Sequence, residues 1–333
     1  MKSYNLAIVG ATGVVGQEVL KIMEEREFPI KKLRLLASER SSGQKIYFNN
    51  SEIEVQLLDK DSFNDIDFAL FSAGSSVSRK FAPIAVQAGA IVIDKSSAFR
   101  MDSHVPLVVP EVNPEEVFKH QGIISNPNCS TIQLVVALKP IFDLAGISRL
   151  IVSTYQSVSG SGKDAVTELK TQTRQVLQKE KVTRKVYPHQ IAFNLLPQID
   201  DFDDNAFTFE EMKLIHETKK ILGDEKIKIT ATAVRVPILI GHSESVYLET
   251  KEYISINKLK KIFMETPGIK FVDDITNNKY PMPIMSEVYD EVMIGRLRKD
   301  LAERNGINMW IVANNLRKGA ALNSVQIVEL LIK

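Results

Sequence analysis

Tyr4-Asn5-Leu6-Ala7-Ile8-Val9-Gly10-Ala11-Thr12-Gly13-Val14-Val15-Gly16 is the stretch that decides the fold. Leu6 to Val9 is a continuous apolar run, the pattern of a parallel strand buried on both faces. Glycines follow at 10, 13 and 16, and apolar residues then recur at helical spacing through Val19, Leu20, Ile22 and Met23. Strand, glycine loop and helix in that order form a phosphate cradle. The glycines let the backbone approach a pyrophosphate, and the helix N-terminus offers unpaired amides and a partial positive charge. The spacing is GxxGxxG rather than GxGxxG, so the context carries the reading more than the motif does. The expected fold class is α/β, with a Rossmann-type dinucleotide-binding domain at the N-terminus.

Working outward, the next expected strand is Leu33–Ala37, followed by Ser38-Glu39-Arg40-Ser41. An acidic residue at this place holds the ribose 2′-hydroxyl of NAD, a role open to Glu39. Arg40, with hydroxyls at Ser38 and Ser41, suits the 2′-phosphate of NADP better. A strand over 66–71 ends in the small residues Ser72-Ala73-Gly74, which can line a cofactor, and a helix is expected from Phe81 to Ala88. A strand over 90–94 leads toward Arg100, an anion-binding candidate because ligands gather at the carboxyl ends of parallel strands.

The single cysteine lies in Ser125-Asn126-Pro127-Asn128-Cys129-Ser130-Thr131, between a short apolar run and a long one. A lone cysteine is by itself a small hydrophobe. Here Pro127 and Asn128 make a turn, and Cys129 falls in the first turn of a helix. There the helix dipole favours thiolate, and unpaired amides can hold an oxyanion. A strand over 148–154 then runs into Gln156-Ser157-Val158-Ser159-Gly160-Ser161-Gly162-Lys163, a glycine-serine turn opening a helix over 164–178. Gln156 can hydrogen-bond a substrate, and Ser159 and Gly160 can pass near a nicotinamide. Glu210, Lys213 and Glu217 share one face of an amphipathic helix over 209–222. By pattern alone that face carries ordinary ion pairs or reads a zwitterionic, phosphorylated ligand. Arg235 and His242 flank a strand-loop segment, His242 directly after Gly241. A strand over 309–315 and a helix over 319–332 close the chain.

The chain has 333 residues, enough for two domains, with 42 Lys plus Arg against 41 Asp plus Glu. Such a balance gives no reason to expect nucleic acid as a partner. One cysteine excludes an internal disulfide and a cysteine-cluster metal site, and the five histidines have no metal-ligand spacing, so no metal is expected. No apolar run has membrane-spanning length and the N-terminus does not read as a signal peptide, so the cytoplasm is the expected compartment.

Taken together, GATGVVG (10–16), SSAFR (96–100), SNPNCST (125–131), QSVSGSGK (156–163), QIAFNLLPQID (190–200), EExK (210–213), RVPILIGHSES (235–245) and NLRKGAALNSVQI (315–327) resemble the aspartate-semialdehyde dehydrogenase family along nearly the whole chain. The resemblance implies reduction of 4-phospho-L-aspartate by NADPH to L-aspartate 4-semialdehyde and phosphate. That step belongs to lysine and diaminopimelate, methionine and threonine biosynthesis. It implies Cys129 as the nucleophile, His242 as the acid/base and Gln156 as an orienting residue. Arg235 is implied for the substrate carboxylate, Glu210 for its ammonium, Arg100 and Lys213 for phosphate, and Asn128 as a further substrate contact. Cofactor contacts are implied at Gly10, Thr12, Gly13, Val14, Val15, Gly16, Ser38, Glu39, Arg40, Ser41, Ser72, Ala73, Gly74, Ser159, Gly160, Asn315 and Gln326. Asn314 departs from the family's usual Asp, at a position without a catalytic role.

The organisation so implied is an NADP-binding domain over 1–127, completed by the C-terminal helix within 315–333. An α+β catalytic and dimerisation domain with a mixed sheet spans 128–314, and the assembly is a homodimer with 163–195 near its interface. The nearest rival is N-acetyl-γ-glutamyl-phosphate reductase. Its substrate has an acylated nitrogen and no ammonium for Glu210 to meet. A glyceraldehyde-3-phosphate-type dehydrogenase would lack the EExK helix, and a non-catalytic nucleotide sensor would not need both Cys129 and His242.

Overall fold

The structure, a computed structural model, describes residues 2–332. The chain divides into two compact units. One runs up to Asn128 and takes back the chain from Ala320; the other spans Cys129–Gly319.

The first unit holds β1 (Tyr4–Val9), α1 (Val14–Glu25), β2 (Ile30–Ala37), β3 (Lys45–Phe48), β4 (Ser51–Leu57), β5 (Phe68–Phe71), α2 (Ser75–Gln87), β6 (Ile91–Asp94) and β7 (Ile123–Ser125), with the C-terminal helix Leu322–Ile332. Its sheet has the order β3-β4-β2-β1-β5-β6-β7, parallel throughout except for the β3–β4 hairpin. Successive side chains of β1 point to opposite faces. Leu6 and Ile8 pack with Val19, Leu20 and Met23 of α1 and with Val325 and Val328 of the C-terminal helix. Ala7 and Val9 pack with Ala82 and Ala85 of α2. Each face of the sheet thus has its own core, which is why Leu6–Val9 is apolar without interruption. β1 lies between β2 and β5, and the chain leaves β1 through α1 on one face of the sheet and β5 through α2 on the other. The glycine loop therefore opens at the topological switch point, where such sheets bind ligands.

Two features depart from expectation. The β3–β4 hairpin turns through Asn49 and Asn50, both at positive φ (46° and 62°). Its strands alternate apolar residues (Ile46, Phe48; Ile53, Val55, Leu57) with exposed polar and charged ones in place of a continuous apolar run, and Asn-Asn supplies the left-handed pair for the turn. Helix α2 starts at Ser75, six residues before Phe81. Its first turn is serine-rich, a composition that favours caps and loops over helix interiors when read alone.

The second unit holds α3 (Cys129–Ala145), β8 (Ile147–Gln156), α4 (Lys163–Leu177), α5 (Phe209–Leu222), β9 (Lys228–Arg235), β10 (His242–Thr250), α6 (Ile256–Glu265), β11 (Ile269–Phe271), β12 (Val292–Lys299) and β13 (Gly306–Ala313). The sheet has the order β11-β12-β13-β10-β8-β9, mixed as expected: β8–β9 and β11–β12 are parallel, the other pairs antiparallel. Helix α3 covers one face of it. Ile132, Leu134, Val135, Val136, Ala137, Leu138 and Ile141 of α3 are all buried. A helix apolar on every side belongs inside, and each such Leu, Val or Ile contributes roughly 1.5–3 kcal/mol when fully buried. On β10, His242, Glu244, Val246 and Leu248 point into the face that α3 covers, while Ser245, Tyr247 and Glu249 point to the other. That other face carries the half-buried Tyr155 and Trp310, with ring centroids 5.5 Å apart.

Candidate active site

In the first unit the glycine loop has the geometry a dinucleotide needs. Gly10 sits at φ 83°, and a Cβ there would lie 3.0 Å from the carbonyl oxygen of Ser72. A Cβ on Gly16 would lie 2.3 Å from the carbonyl oxygen of Gly10. Both positions therefore exclude any side chain, and the loop folds tightly against the end of β5 at Ser72 and Ala73. The N-cap of α1 is Gly13, which supplies no side-chain cap, so the first-turn amides around Val14, Val15 and Gly16 are available to an anion. Thr12 is half-buried beside it. Gly74 caps α2 in the same uncapped way, and a Cβ on it would meet nothing within 4 Å. Ser38, Glu39 and Arg40 are exposed at the end of β2, and Ser41 is half-buried. These residues fit a dinucleotide: an uncapped helix start, a backbone without side chains, and a cation beyond the second strand.

Arg100 is buried in the same unit. Its Nε donates to the carbonyl of Asn126 at 3.0 Å and its Nη2 to that of Lys95 at 2.6 Å. Asn126, in the turn before the cysteine, accepts hydrogen bonds at Oδ1 from Asn323 (2.8 Å) and Ser324 (3.2 Å) of the C-terminal helix. That helix therefore pins the segment that ends at the buried Asn128. Gln326, on the same helix, donates to Glu111 at 3.2 Å.

In the second unit the structure brings eight of the expected residues into one connected set. Strand β8 extends to Gln156, two residues beyond the expected end, and the Gln156 amide donates to Glu210 at 3.2 Å and to Thr154 at 3.2 Å. Glu210 accepts from Lys213 at 3.1 Å, and Lys213 also donates to Asp200. Burial opposes the charge of Lys213, but the fields of Glu210 and Asp200 outweigh it and hold its pKa above the usual lysine value. Helix α5 presents this pair from its first two turns, started by a capping box between Thr208 and Glu211.

Arg235 ends β9 and His242 begins β10. The guanidinium donates through Nη1 to the carbonyl of Ser157 at 2.7 Å. Ser157 N–H donates to His242 Nδ1 at 3.1 Å, which places the proton of the neutral ring on Nε2. Gly160 lies against both: a Cβ there would come within 3.2 Å of Arg235 Nη1 and 3.4 Å of His242 Nε2. Arg235 Nε and His242 Nε2 are buried and have no hydrogen-bond partner. Two buried polar atoms left bare on residues that both pack against Gly160 mark where a ligand's oxygens belong. Burial, reinforced by the Arg235 charge, pushes the His242 pKa down to about 3, so the imidazole is neutral.

Asn315 is buried and spends its amide inside this set. Its Oδ1 accepts from Gly241 N–H (2.9 Å), Ser157 (3.1 Å) and Ser159 (3.3 Å), and its Nδ2 donates to Ser159 (3.0 Å). It thereby clamps the turn before His242 to the turn after Gln156. Ser157, Thr154, Asp200 and Gly319 went unsingled in the sequence. A Cβ on Gly319 would lie 3.0 Å from that of Cys129, so the cysteine requires a glycine beside it. Cys129 itself is the first residue of α3 and half-buried.

Among the described residues no cluster of three or more His, Cys, Asp or Glu side chains is arranged to hold a metal, and no helix is long and apolar enough to cross a membrane.

The family described as "Semialdehyde dehydrogenase, NAD binding domain" matches residues 5–120, and "Semialdehyde dehydrogenase, dimerisation domain" matches residues 138–318. The chain is 55% identical over 334 residues to the "Aspartate-semialdehyde dehydrogenase" of Aquifex aeolicus, covering 99% of this chain and 98% of that protein. The solved aspartate semialdehyde dehydrogenase II of Vibrio cholerae, complexed with ASA, superposes with a TM-score of 0.96 at 47% identity, covering 100% of this chain and 99% of that one. The aspartate semialdehyde dehydrogenase of Candida albicans, solved with NADP, superposes with a TM-score of 0.78 at 26% identity, covering 99% of each chain.

Proposed function

The chain belongs to the aspartate-semialdehyde dehydrogenase family, and on that premise we propose that it reduces 4-phospho-L-aspartate to L-aspartate 4-semialdehyde, releasing phosphate. The observation that carries the reading is the charge arrangement of the second unit: Arg235 and His242 packed against Gly160, each with one bare, buried nitrogen, and a buried Glu210 linked to Gln156.

The reaction begins at Cys129. Its place at the start of α3 favours the thiolate, which attacks the acyl phosphate carbon. The carbon–oxygen bond to phosphate breaks, phosphate leaves, and a thioester on Cys129 remains. NADPH, when bound, supplies the hydride that reduces this thioester. The imidazolium formed when Nε2 takes the Cys129 thiol proton gives that proton to the hemithioacetal oxygen, and the neutral ring takes it back as the carbon–sulfur bond breaks. Aldehyde and Cys129 thiolate are then released. Ser157 serves both states of the ring. Its N–H donates to Nδ1 when the proton is on Nε2, and its hydroxyl, 3.2 Å from Nδ1, can accept when the proton is on Nδ1. In that second state Nε2 can take the thiol proton, and acid–base help of this kind is worth about 10²–10⁴-fold.

Arg235 holds the substrate carboxylate, Glu210 its ammonium, and Arg100 and Lys213 its phosphate, with Gln156 and Asn128 orienting the carbonyl. Arginine suits the carboxylate because it donates two parallel hydrogen bonds. Arg235→Lys keeps the charge and loses the fork, so kcat/KM falls about 30- to 100-fold, the equivalent of roughly 2–3 kcal/mol for a charged hydrogen bond. Unchanged kcat and KM would refute the clamp.

The first unit takes NADP(H), contacted by the Gly10–Gly16 loop, Ser72–Gly74, Gln326 and the segment Ser38–Ser41. Ser159, Gly160 and Asn315 belong to the same reading. The second unit is the catalytic and dimerisation domain. The half-buried Tyr155 and Trp310 on the sheet face opposite α3 support a homodimer through that face, and the biosynthetic role supports a cytoplasmic location. A phosphate-dependent assay with L-aspartate 4-semialdehyde, run with NADP⁺ and NAD⁺ in parallel, tests the reading. Reduction that requires both semialdehyde and phosphate is expected, with NADP⁺ preferred. Arg40→Ala narrows that preference about tenfold or more by removing the 2′-phosphate's cation. Equal use of both cofactors by the unaltered enzyme would overturn the NADP assignment.

A further inference from the structure

Glu244 stands two residues beyond His242 on β10 and points into the same face of the sheet, under α3. It is 0% exposed, and neither carboxyl oxygen has a hydrogen-bond partner. Its register partners are Thr154 on β8 and Ile311 on β13. The neighbours of these on the same face, Val152, Gln156, Met309 and Ala313, carry no charge. From above, α3 has no charged side chain before Lys139, and Cys129 is its one titratable group up to that point. The titratable group sharing the β10 face is His242, whose own charged neighbours are Arg235 and Glu210. The polar side chain that faces Glu244 from α3 is Gln133, near enough for its amide to act on the carboxyl though outside hydrogen-bond geometry, and neither amide atom of Gln133 is hydrogen-bonded to anything else.

A carboxylate in such surroundings would be an uncompensated charge, so the group keeps its proton. Burial pushes its pKa well above the ordinary carboxyl range, and only the Gln133 amide acts against this. A protonated carboxyl and a carboxamide are complementary, each offering the other one donor and one acceptor. Gln133 is one helical turn after Cys129 and on the same side of α3.

We propose that Glu244 is a positioning residue: it stays protonated and, through Gln133, ties the start of the helix that carries Cys129 to the strand that begins with His242. This deepens, and rests on, the reading of Cys129 and His242 as the reacting pair. Both halves of the tie belong to the second unit, and both lie one step beneath the chemistry, with no substrate contact of their own.

Two variants and one melting series test it. Glu244→Gln keeps the shape and the neutral donor and acceptor, so kcat stays within about threefold of the unaltered enzyme. Glu244→Leu keeps bulk and loses both, so kcat falls about tenfold or more while KM moves less than about threefold. The proton is read separately. An unfolded glutamate releases its proton near 4.5 and the folded one does not, so the unaltered protein loses stability relative to Glu244→Gln as pH rises above that value. The Tm gap between the two should therefore widen between pH 5 and 8. Glu244→Gln as impaired as Glu244→Leu, an unimpaired Glu244→Leu, or a Tm gap flat with pH would each overturn the proposal. If Glu244→Leu does not fold, the Glu244→Gln kinetics and the melting series decide. If the unaltered enzyme shows no turnover of the semialdehyde, the catalytic reading fails, and the melting series still reports on the proton.

Discussion

Cys129→Ala abolishes turnover, lowering kcat by about 10⁴-fold or more, and leaves NADP⁺ binding intact. In the proposed route every covalent step runs through the thiolate, and no other thiol exists in the 333 residues to replace it. The variant should fold. Alanine is the best helix former, Cys129 is the first residue of α3, and the neighbouring Gly319 accommodates the smaller side chain. The change in stability is expected to stay within about 1 kcal/mol. The dinucleotide cradle at Gly10–Gly16 belongs to the other unit and is untouched. Steady-state rates, an NADP⁺ titration and a melting curve on one preparation check all three statements. Activity near that of the unaltered enzyme would remove Cys129 from the mechanism.

His242→Asn lowers kcat about 10²–10⁴-fold, because it removes the group that carries a proton to and from the hemithioacetal. Asparagine is the instructive replacement: its Oδ1 can accept the Ser157 N–H that Nδ1 accepts now, so the turn survives and only the proton carrier is lost. A pH dependence follows from the ring's depressed pKa. The unfolded chain binds a proton on this histidine near 6.5, and the folded one refuses it until about 3. Between those values the unfolded state binds more protons, so the native protein loses stability as pH falls through the window. His242→Asn should lack that part of the acid sensitivity. The same depression means that the acid limb of kcat/KM is not set by a His242 titration near 6.5. Identical acid melting of the two proteins would contradict the neutral, buried ring.

Much of this site could be read before any coordinates. Leu6–Val9 had to be a strand buried on both faces, and Gly10 and Gly16 had to be glycines, because the loop they form excludes a Cβ. Cys129, Arg235 and His242 stood beside local turn signals: Pro127-Asn128 before the cysteine, Pro237 two residues after the arginine, and Gly241 before the histidine. What stayed hidden depends on pairing between distant segments. Gln156 meets Glu210 only because β8 runs two residues further than its own pattern indicates. Asn315 reads as the end of a strand and, by resemblance, a cofactor contact; its clamp on Ser157, Ser159 and Gly241 appears only in the fold. Glu244 is the sharpest case. By sequence it is an acidic residue beside two serines, which suggests a solvated position. The antiparallel register with β8 and β13 sends it inward instead, beneath a helix whose Gln133 lies more than a hundred residues earlier. The Asn49–Asn50 hairpin escaped for a different reason: its strands are short and carry their apolar residues only at alternate positions (Ile46 and Phe48, then Ile53, Val55 and Leu57), a weaker signal than the continuous run of Leu6–Val9.

The central claim is a thioester on Cys129, and phosphate-free acylation tests it most directly. The enzyme is mixed with L-aspartate 4-semialdehyde and NADP⁺ without phosphate, the absorbance of NADPH is followed, and the protein is quenched in acid for intact and peptide mass measurement. The expected result is a burst of NADPH no larger than the enzyme concentration, together with an aspartyl adduct mapped to the peptide containing Cys129 and absent from Cys129→Ala. Full turnover on adding phosphate, with no adduct at Cys129 or with the adduct elsewhere, would contradict the account.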